Sequence, residues 1–498
     1  MRAAVQARRR LLPHLASLTA AFLATSVARA YQAEVHASSA FQLYVVQSPF
    51  GSPELSRQRL THTLALDVDD LGAPMGRRGP WFLVRVQLRL DGDYGIGPEE
   101  RDPGQSSRFV PGLETSPVDL AYGYVQSGGL LGGIGGFTLG RQVVVNELGW
   151  WSFDGAKISL IPTQLVELAA YAGYEQRGGT GWLSTSRYEA DGVYRGDRSG
   201  LDSRTWPGYL SSRSPAPAVG VSLDVLAASW IRARVDYRRV VQRDRVVTSP
   251  FAGSDGTVPT IKKTRISSER AGAAASASFG DWGQADGALV YDRYRALISE
   301  QRLSLAFEPS SRLRMGLAYD YFVPTFDADS VFNWFGASRS IALRTNGEWR
   351  FSRNLTLGAY GGSRWLGVAD LRYIEAWQSQ AAGQDWFGGL EADWVEGGSF
   401  FRIANDVEVG DAGDRLVTDL EYRQRLAGDW LETLTETSLA TWRDPSMAAD
   451  GDTSFAYVLG ARLNPLGSPQ LQLEWEHALS RALAQRFRVM ASLQTRLP

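Results

Sequence analysis

The chain has 498 residues, with 52 glycines, 16 tryptophans, 19 tyrosines, 20 phenylalanines and no cysteine. The missing cysteine excludes a disulfide scaffold, a cysteine-ligated metal site and thiol catalysis. A hydrophobic fraction of 44% and a charged fraction of 21% argue against a disordered chain. Glycines and aromatic residues recur evenly with no linker between them, which favours one large all-β domain over several smaller ones.

The N-terminal segment has the pattern of an export signal. Arginines crowd the first ten residues, an apolar run follows over 11–27, and 28–30 are Ala-Arg-Ala, which fits the small-residue rule for cleavage. We expect residues 1–30 to be a cleaved signal peptide and residues 31–498 to form a single domain. This signal contains basic but no acidic residues, so residues 31–498 are net acidic, which argues against general nucleic-acid binding.

Strict alternation of apolar and polar residues dominates the rest of the chain. Between Trp81 and Asp91, valine and leucine alternate with arginine, glutamine and aspartate. The same two-residue period recurs at 230–238, 312–321 and 400–409, and helical periodicity of any length is nearly absent. A two-residue period predicts β-strands with one apolar and one polar face.

The lengths of these segments and of their connections predict the architecture. About 22 segments of roughly nine to twelve residues follow one another, the length that a tilted strand needs to cross a bilayer. Every second connection is short, as at 162–164, and the others are mostly longer and polar, as at 176–215. We predict an all-β fold: a closed antiparallel transmembrane β-barrel of about 22 strands (roughly 18 to 24), with short periplasmic turns and long extracellular loops. The first strand, near 34–47, should pair with the last, near 486–497.

The two faces of the strands predict what each side of the barrel meets. The polar face carries several arginines per strand, too many for a narrow dry core, so we expect it to line a wide, wet lumen. Aromatic residues near predicted strand ends fit the interfacial girdles of membrane barrels, although ordinary β-propensity explains some of them. These aromatic residues are Tyr122, Tyr124, Tyr171, Tyr174, Tyr291, Tyr294, Trp349, Phe351, Trp365 and Trp386.

One short stretch resembles a known family. The sequence Phe-Thr-Leu-Gly-Arg-Gln at 137–142, followed by Phe-Asp-Gly-Ala-Lys at 153–157, is similar to a hairpin of large Gram-negative outer-membrane porins, including the alginate-export type. The similarity covers about 20 residues of the chain. It implies a porin-like β-barrel in which Arg141 and Lys157 point into the pore.

The polar face supplies the candidate pore-lining residues. Arginine dominates this face before residue 350, and acidic residues join it after residue 380. Clustered cations in a confined pore would favour carboxylate or phosphate groups, but a ladder of cross-strand ion pairs that only satisfies the interior fits equally well. The predicted pore-lining residues are Arg85, Arg89, Arg141, Lys157, Arg232, Arg234, Arg238, Arg302, Arg314, Arg344, Arg402, Asp406, Glu408, Glu421, Arg423, Glu474 and Arg488.

The long segment 176–215 is a candidate constriction. It is rich in Gly, Ser, Tyr and Arg and long enough to fold into the lumen, and an external loop is compatible with the same composition. If the segment enters the lumen, the residues that would meet a solute are Tyr188, Arg195, Arg198, Arg204 and Trp206. Aspartate-rich loops at 327–329 and 450–452 could bind calcium, but acidic turn residues explain them more simply, so we predict no metal site.

Catalysis has little support in the sequence. Beyond residue 30 the chain has three histidines, and no nucleophile elbow, zinc motif or phosphate loop is present. His62 lies on an apolar face between Leu60 and Leu64, which keeps a lipase at the lipid interface as an alternative. A receptor with a folded plug is excluded because the strand pattern begins within a few residues of Tyr31. We therefore predict a protein that is not an enzyme and uses no cofactor.

The sequence predicts a channel in the outer membrane of a Gram-negative bacterium, passing polar, anionic solutes through a charged, water-filled lumen. Expected partners are outer-membrane lipid, the solutes themselves and the barrel-assembly machinery, without nucleic acid. Two alternatives remain: a polysaccharide-export barrel that works with periplasmic partners, and a structural or adhesion-supporting barrel with a closed pore.

Overall fold

The structure is a computed structural model, and it shows a chain folded almost entirely as β-strands. The residues that it describes are 31–47, 53–72, 79–93, 118–175, 216–242, 245–247, 260–262, 264–325, 339–367, 383–411, 413–428, 430–443, 451–480 and 484–497. The predicted signal peptide at 1–30 and the candidate constriction at 176–215 lie outside these residues, so both stay predictions.

The strands follow one another along the whole described chain. Their bounds are β1 (Gln32–Gln47), β2 (Pro53–Gly72), β3 (Trp81–Asp93), β4 (Val118–Leu130), β5 (Gly135–Asn146), β6 (Gly149–Thr163), β7 (Val166–Glu175), β8 (Ala216–Ala228), β9 (Ile231–Gln242), β10 (Arg245–Val247), β11 (Thr260–Lys262), β12 (Arg265–Ser278), β13 (Gly283–Asp292), β14 (Leu297–Ser310), β15 (Leu313–Phe322), β16 (Ser340–Arg350), β17 (Leu355–Leu366), β18 (Gly383–Glu396), β19 (Ser399–Gly410), β20 (Asp414–Leu426), β21 (Leu431–Arg443), β22 (Asp452–Leu463), β23 (Gln470–Ser480) and β24 (Ala484–Leu497).

Twenty-two of these strands form one closed antiparallel sheet. Each strand pairs with its neighbour in the chain, except that β9 pairs directly with β12 and leaves β10 and β11 as a separate two-stranded hairpin. The first strand closes the sheet on the last, with Val35 opposite Leu497 and Ala40 opposite Ser492. The prediction of a closed antiparallel barrel of about 22 strands, sealed between its first and last strands, is confirmed.

Side chains alternate between two faces of this sheet, as the two-residue period predicts. On β14 and β15, Leu303, Leu305, Leu317 and Met315 all lie on one face and are exposed. Charged side chains occupy the other face, where Arg302 lies opposite Asp320. Because an exposed apolar wall is stable only against lipid, the apolar face is the outer wall and the charged face lines the lumen.

Turns and loops separate to the two ends of the barrel. At the end where β24 terminates, connections are short, as between β6 and β7 and between β14 and β15. Gly397 and Gly398 form the turn between β18 and β19, both with positive φ, a conformation that glycine adopts without strain. The opposite end carries the long intervals of sequence, and also tight hairpins such as the one between β5 and β6. We assign the short-turn end to the periplasm.

Helical structure is almost absent from the described residues. A single 3-10 turn spans Leu131–Gly133 between β4 and β5. No helix in this part of the chain is long and apolar enough to cross a membrane.

Candidate functional site: the charged lumen

The tip of the β5–β6 hairpin lies inside the barrel. Leu148, in the turn, is buried in a cluster with Trp151, Phe153 and Val290. Val290 belongs to β13, and four barrel strands separate β13 from β6 along the wall. A Cβ atom built on Gly272 of β12 would lie 2.7 Å from Leu148 Cδ2. The hairpin tip therefore folds into the lumen and contacts the inner wall five strand positions further along the sheet.

Hydrogen bonds hold this tip in place. Asn146 donates a hydrogen bond from Nδ2 to Asp236 Oδ1 of β9 at 2.8 Å, and its own Oδ1 accepts one from the Leu148 backbone N–H at 2.9 Å. Arg234 Nε donates to the other carboxylate oxygen of Asp236 at 2.5 Å. The buried Asp236 thus joins the hairpin tip to an arginine of the wall. Hydrogen bonds therefore stabilise the inward position of the tip together with the apolar contacts of Leu148.

The space beneath the hairpin is filled by side chains from β6, β7 and β9. The Arg238 guanidinium lies 4.5 Å from the centroid of the Trp151 ring and forms a buried ion pair with Glu175. Tyr171 packs on Phe153 with 4.8 Å between the ring centroids. Tyr171 is therefore part of this inner cluster, and the prediction that it belongs to a membrane girdle is wrong. These side chains fill one side of the lumen.

Glu147, next to Leu148 in the turn, is the titratable group at the tip. Partial burial, reinforced by the nearby Asp236 carboxylate, raises the pKa of Glu147 to about 7, and the Arg234 charge opposes this rise. Its Oε1 atom is buried without a hydrogen-bond partner. A small cavity of about 190 Å³ lies beside the tip, between it and the wall that it contacts. It is lined by Glu147, Leu148, Arg270, Val290, Ser299, Glu300, Phe322, Pro324 and Thr325.

Ion pairs within single strands and between nearby strands cover much of the remaining inner wall. In the first half of the chain, Arg85 lies 3.8 Å from Asp67 and from Asp69, and Arg232 lies 3.0 Å from Asp224. Several further predicted pore-lining residues have partners of opposite charge. These pairs are Arg302 with Glu300, Arg314 with Glu308, Arg402 with Glu391 and Asp393, Glu408 with Arg364, Glu421 with Arg423, and Arg488 with Glu476. Four of these contacts join neighbouring strands, as in the ladder that the sequence allowed, whereas Arg302–Glu300 and Arg423–Glu421 lie within one strand and Arg364–Glu408 reaches across β18.

Other predicted pore-lining residues have different surroundings. Asp406 accepts a hydrogen bond from the Tyr360 hydroxyl, and Glu474 accepts one from Gln472. Arg344 is exposed on the lumen face of β16, and Arg89 and Lys157 are half-buried. The five candidates in the long segment, Tyr188, Arg195, Arg198, Arg204 and Trp206, lie outside the described residues.

Arg141, like Arg238, is buried. Its Nε and Nη2 atoms donate hydrogen bonds to the two Asp154 carboxylate oxygens at 2.7 and 2.9 Å, and Nη1 donates to the Leu120 carbonyl at 2.7 Å. This bidentate pair joins β5 to β6 beside the strand β4. Most of the hydrogen-bonding capacity of the guanidinium is therefore used within the wall.

The inward hairpin could not be predicted from the alternation. The turn residues Glu147 and Leu148 form a two-residue connection, which the sequence pattern presents as an ordinary outer hairpin. The one available signal is an apolar residue, Leu148, at a turn position that solvent would otherwise reach, followed by the aromatic pair Trp150 and Trp151. Asp236 and Glu175, which support the hairpin sector, have no distinguishing pattern in the sequence.

His62, the residue behind the lipase alternative, lies on the outer wall. Its Nδ1 atom is 2.8 Å from Ser39 Oγ. Both residues lie near the middle of their strands, far from either water-facing end. No carboxylate within the described strands forms an ion pair or hydrogen bond with His62 to orient its ring, as a catalytic triad requires. Among the described residues no cluster of metal-ligating side chains occurs either.

A closed antiparallel sheet with a lipid-compatible outer wall and a charged inner wall defines an outer-membrane β-barrel protein with a polar lumen. Solved porins resemble it. The outer-membrane protein opdK from Pseudomonas aeruginosa matches with 9% identity and a TM-score of 0.42 over 94% of this chain and 98% of that chain. A BenF-like porin from Pseudomonas fluorescens Pf-5 matches with 9% identity and a TM-score of 0.44, over 94% and 99%. OccAB3 from Acinetobacter baumannii matches with 9% identity and a TM-score of 0.42, over 94% and 100%.

Comparisons at the level of sequence give no family. No protein-family model matches the chain, and no curated protein sequence matches it. The alginate-export part of the predicted resemblance is unsupported.

Proposed function

We propose that the protein is a non-enzymatic outer-membrane channel that passes small polar solutes, with a preference for anions, through its charged lumen. The observation that carries this proposal is the inner wall itself, where charged and hydrogen-bonding side chains from nearly every strand face an interior too wide for them to fill. Such a wall is costly in a dry core and stable against water. Export through the predicted signal peptide and insertion by the barrel-assembly machinery belong to the same proposal.

Unequal exposure within the ion pairs supports the preference for anions. The Arg232 side chain is 63% exposed whereas its partner Asp224 is 15% exposed, and for Arg302 and Glu300 the values are 67% and 18%. The acid lies against the wall and the guanidinium extends toward the lumen. A solute in the lumen therefore meets cationic surface first, although the formal charges of each pair cancel.

The channel is favoured over the two alternatives. No contact in the described part of the chain points to a polysaccharide cargo or to a periplasmic partner, and none points to a purely structural role. The hairpin tip of β5 and β6 narrows the lumen on one side, which suits small solutes better than a polymer.

Planar-bilayer recording of the refolded protein tests this function. We expect stepwise, steady single-channel conductance, and a reversal potential in a salt gradient that reports anions as the more permeant ions. A folded, heat-modifiable barrel with no conductance would contradict the channel. A conducting barrel with a cation preference would contradict only the anion preference.

A further inference from the structure

Two glycines face each other in the outer wall. Gly361 of β17 and Gly388 of β18 are register partners. In the same row, Thr345 of β16 lies beside Gly361 and Val407 of β19 lies beside Gly388. Neighbouring strands lie about 4.8 Å apart. The two glycines therefore leave the outer wall without side chains over the width of two strands.

The next row toward the extracellular end deepens this gap into a groove. It consists of Leu343, Ser363, Trp386 and Val409 in register. The Ser363 side chain is small and buried, whereas Trp386 is largely exposed and stands along the groove. The groove has a volume of about 530 Å³, and its lining is mostly apolar. This volume lies within the range of small-ligand sites in proteins.

The position of the groove determines what can fill it. Its walls, Leu343, Trp386, Val407 and Val409, are exposed apolar residues of the lipid-facing side of the barrel. The hydroxyl groups in the groove belong to Thr345 and Ser363. Two hydroxyl groups are too few to form hydrogen bonds with the backbone of a bound peptide, and the surrounding lipid offers none. A flexible hydrocarbon chain has no polar groups to satisfy and can follow the glycine floor.

We propose that this groove binds one acyl chain of a membrane lipid from the leaflet nearest the extracellular loops. The chain lies over Gly361 and Gly388, between the walls of β16 and β19, with Trp386 packed along it. Close packing against both walls recovers the dispersion contacts that an unfilled groove would lose.

The geometry at Gly361 allows a clean test. A Cβ atom built there would meet nothing nearer than the Phe387 carbonyl oxygen at 3.8 Å, so a side chain fits without strain and projects into the groove. Gly388 is less suitable, because its Cβ would lie 3.1 Å from the Tyr360 carbonyl oxygen. G361L therefore fills the groove. Gly287 on β13 provides the matched control, since its Cβ would meet only ordinary contacts, the nearest being Leu303 Cδ2 at 3.5 Å.

The experiment uses the full barrel in phosphatidylethanolamine vesicles that contain a phospholipid with a diazirine midway along one acyl chain. After illumination, labelled residues are mapped by mass spectrometry in the wild type, G361L and G287L. We expect several-fold stronger labelling at Trp386 and Val407 than at Leu303 and Leu317 of the neighbouring outer wall. This excess should vanish in G361L and persist in G287L.

A second measurement counts the lipid directly. Native mass spectrometry of the detergent-purified protein should show one retained lipid in the wild type and in G287L, and none in G361L. Heat-modifiable migration verifies that each variant is folded. Labelling spread evenly over the outer wall, or a retained lipid that survives in folded G361L, would overturn the proposal.

Discussion

Leu148 and Val290 pack against each other in the interior of the barrel, although four strands of the wall lie between the strands that carry them. This contact turns a two-residue hairpin into a brace that bridges one sector of the inner wall. The same sector of the lumen holds the buried pair of Arg238 and Glu175 and the Trp151 ring.

Cysteine substitutions can test the brace, because the chain has no cysteine of its own. In the double variant L148C/V290C, mild oxidation or a short bifunctional maleimide should link the two positions, because their side chains are in contact. Gel mobility after proteolysis measures the link. The pair L148C/L305C is the control, since Leu305 lies on the outer wall and should not link. Linking in the control, or none in the first pair, would contradict the inward hairpin.

Docking of the hairpin should weaken as the pH rises. The pKa of Glu147 is raised from 4.5 to about 7 in the docked hairpin, so the docked state holds the proton more tightly than an undocked one. Docking is therefore fully favoured below about pH 4.5, loses stability between about pH 4.5 and about 7, and changes little above that. We expect larger or more fluctuating single-channel conductance at pH 8 than at pH 5. E147Q, which cannot ionise, should remove most of this difference, and an unchanged pH response in E147Q would exclude Glu147 as its source.

The buried ion pair beneath the hairpin should matter more for stability than the exposed ones. E175Q leaves the Arg238 charge buried without its partner, and we expect a loss of about 3 to 5 kcal/mol in the free energy of unfolding. R232Q breaks an exposed pair and should cost less than about 1 kcal/mol. Urea titration of both variants in lipid vesicles provides the comparison. Equal losses would contradict this prediction, because they would mean that other contacts stabilise the Arg238 charge without Glu175.

Lumen arginines should set ion selectivity according to their exposure. The triple variant R232Q/R302Q/R314Q removes three exposed guanidinium groups and leaves their acidic neighbours, so anion permeability relative to cation permeability should fall or reverse. Reversal potentials in a salt gradient measure the change. R312Q is the control, because Arg312 is exposed in the periplasmic turn between β14 and β15. A triple variant that keeps the wild-type reversal potential would contradict an arginine-controlled lumen.

The sequence predicts the barrel well because the alternation of side chains and the closing of the sheet have the same cause. Each strand, such as β15, must give one face to lipid and one to water. This requirement makes apolar and polar residues alternate in the sequence with a period of two. The inward hairpin has no such periodic signature. It depends on a contact between Leu148 and Val290, and on a hydrogen bond from Asn146 to Asp236, all distant in sequence. Pairwise contacts of this kind are decided by packing, which local pattern does not encode.

The outer groove was missed for a related reason. Gly361 and Gly388 each occupy an unremarkable position in an alternating strand, and only the register between β17 and β18 brings them together. Arginines on the polar face were easier to predict, since charge on that face is visible in the sequence. The sequence does not show which of those arginines form most of their hydrogen bonds within the wall, as Arg141 does.

The seam between β1 and β24 has a consequence for assembly. Arg496 donates a hydrogen bond to Glu34 across that seam at 2.6 Å. Because β1 pairs with β2 and with β24, the first strand gains its second neighbour only when the last strand is in place. Until then, an intermediate has two open edges that could pair with each other or with a foreign strand. The barrel is therefore completed when its first and last strands pair. Until the last strand is in place, the free edge of β1 must be kept from pairing with other strands.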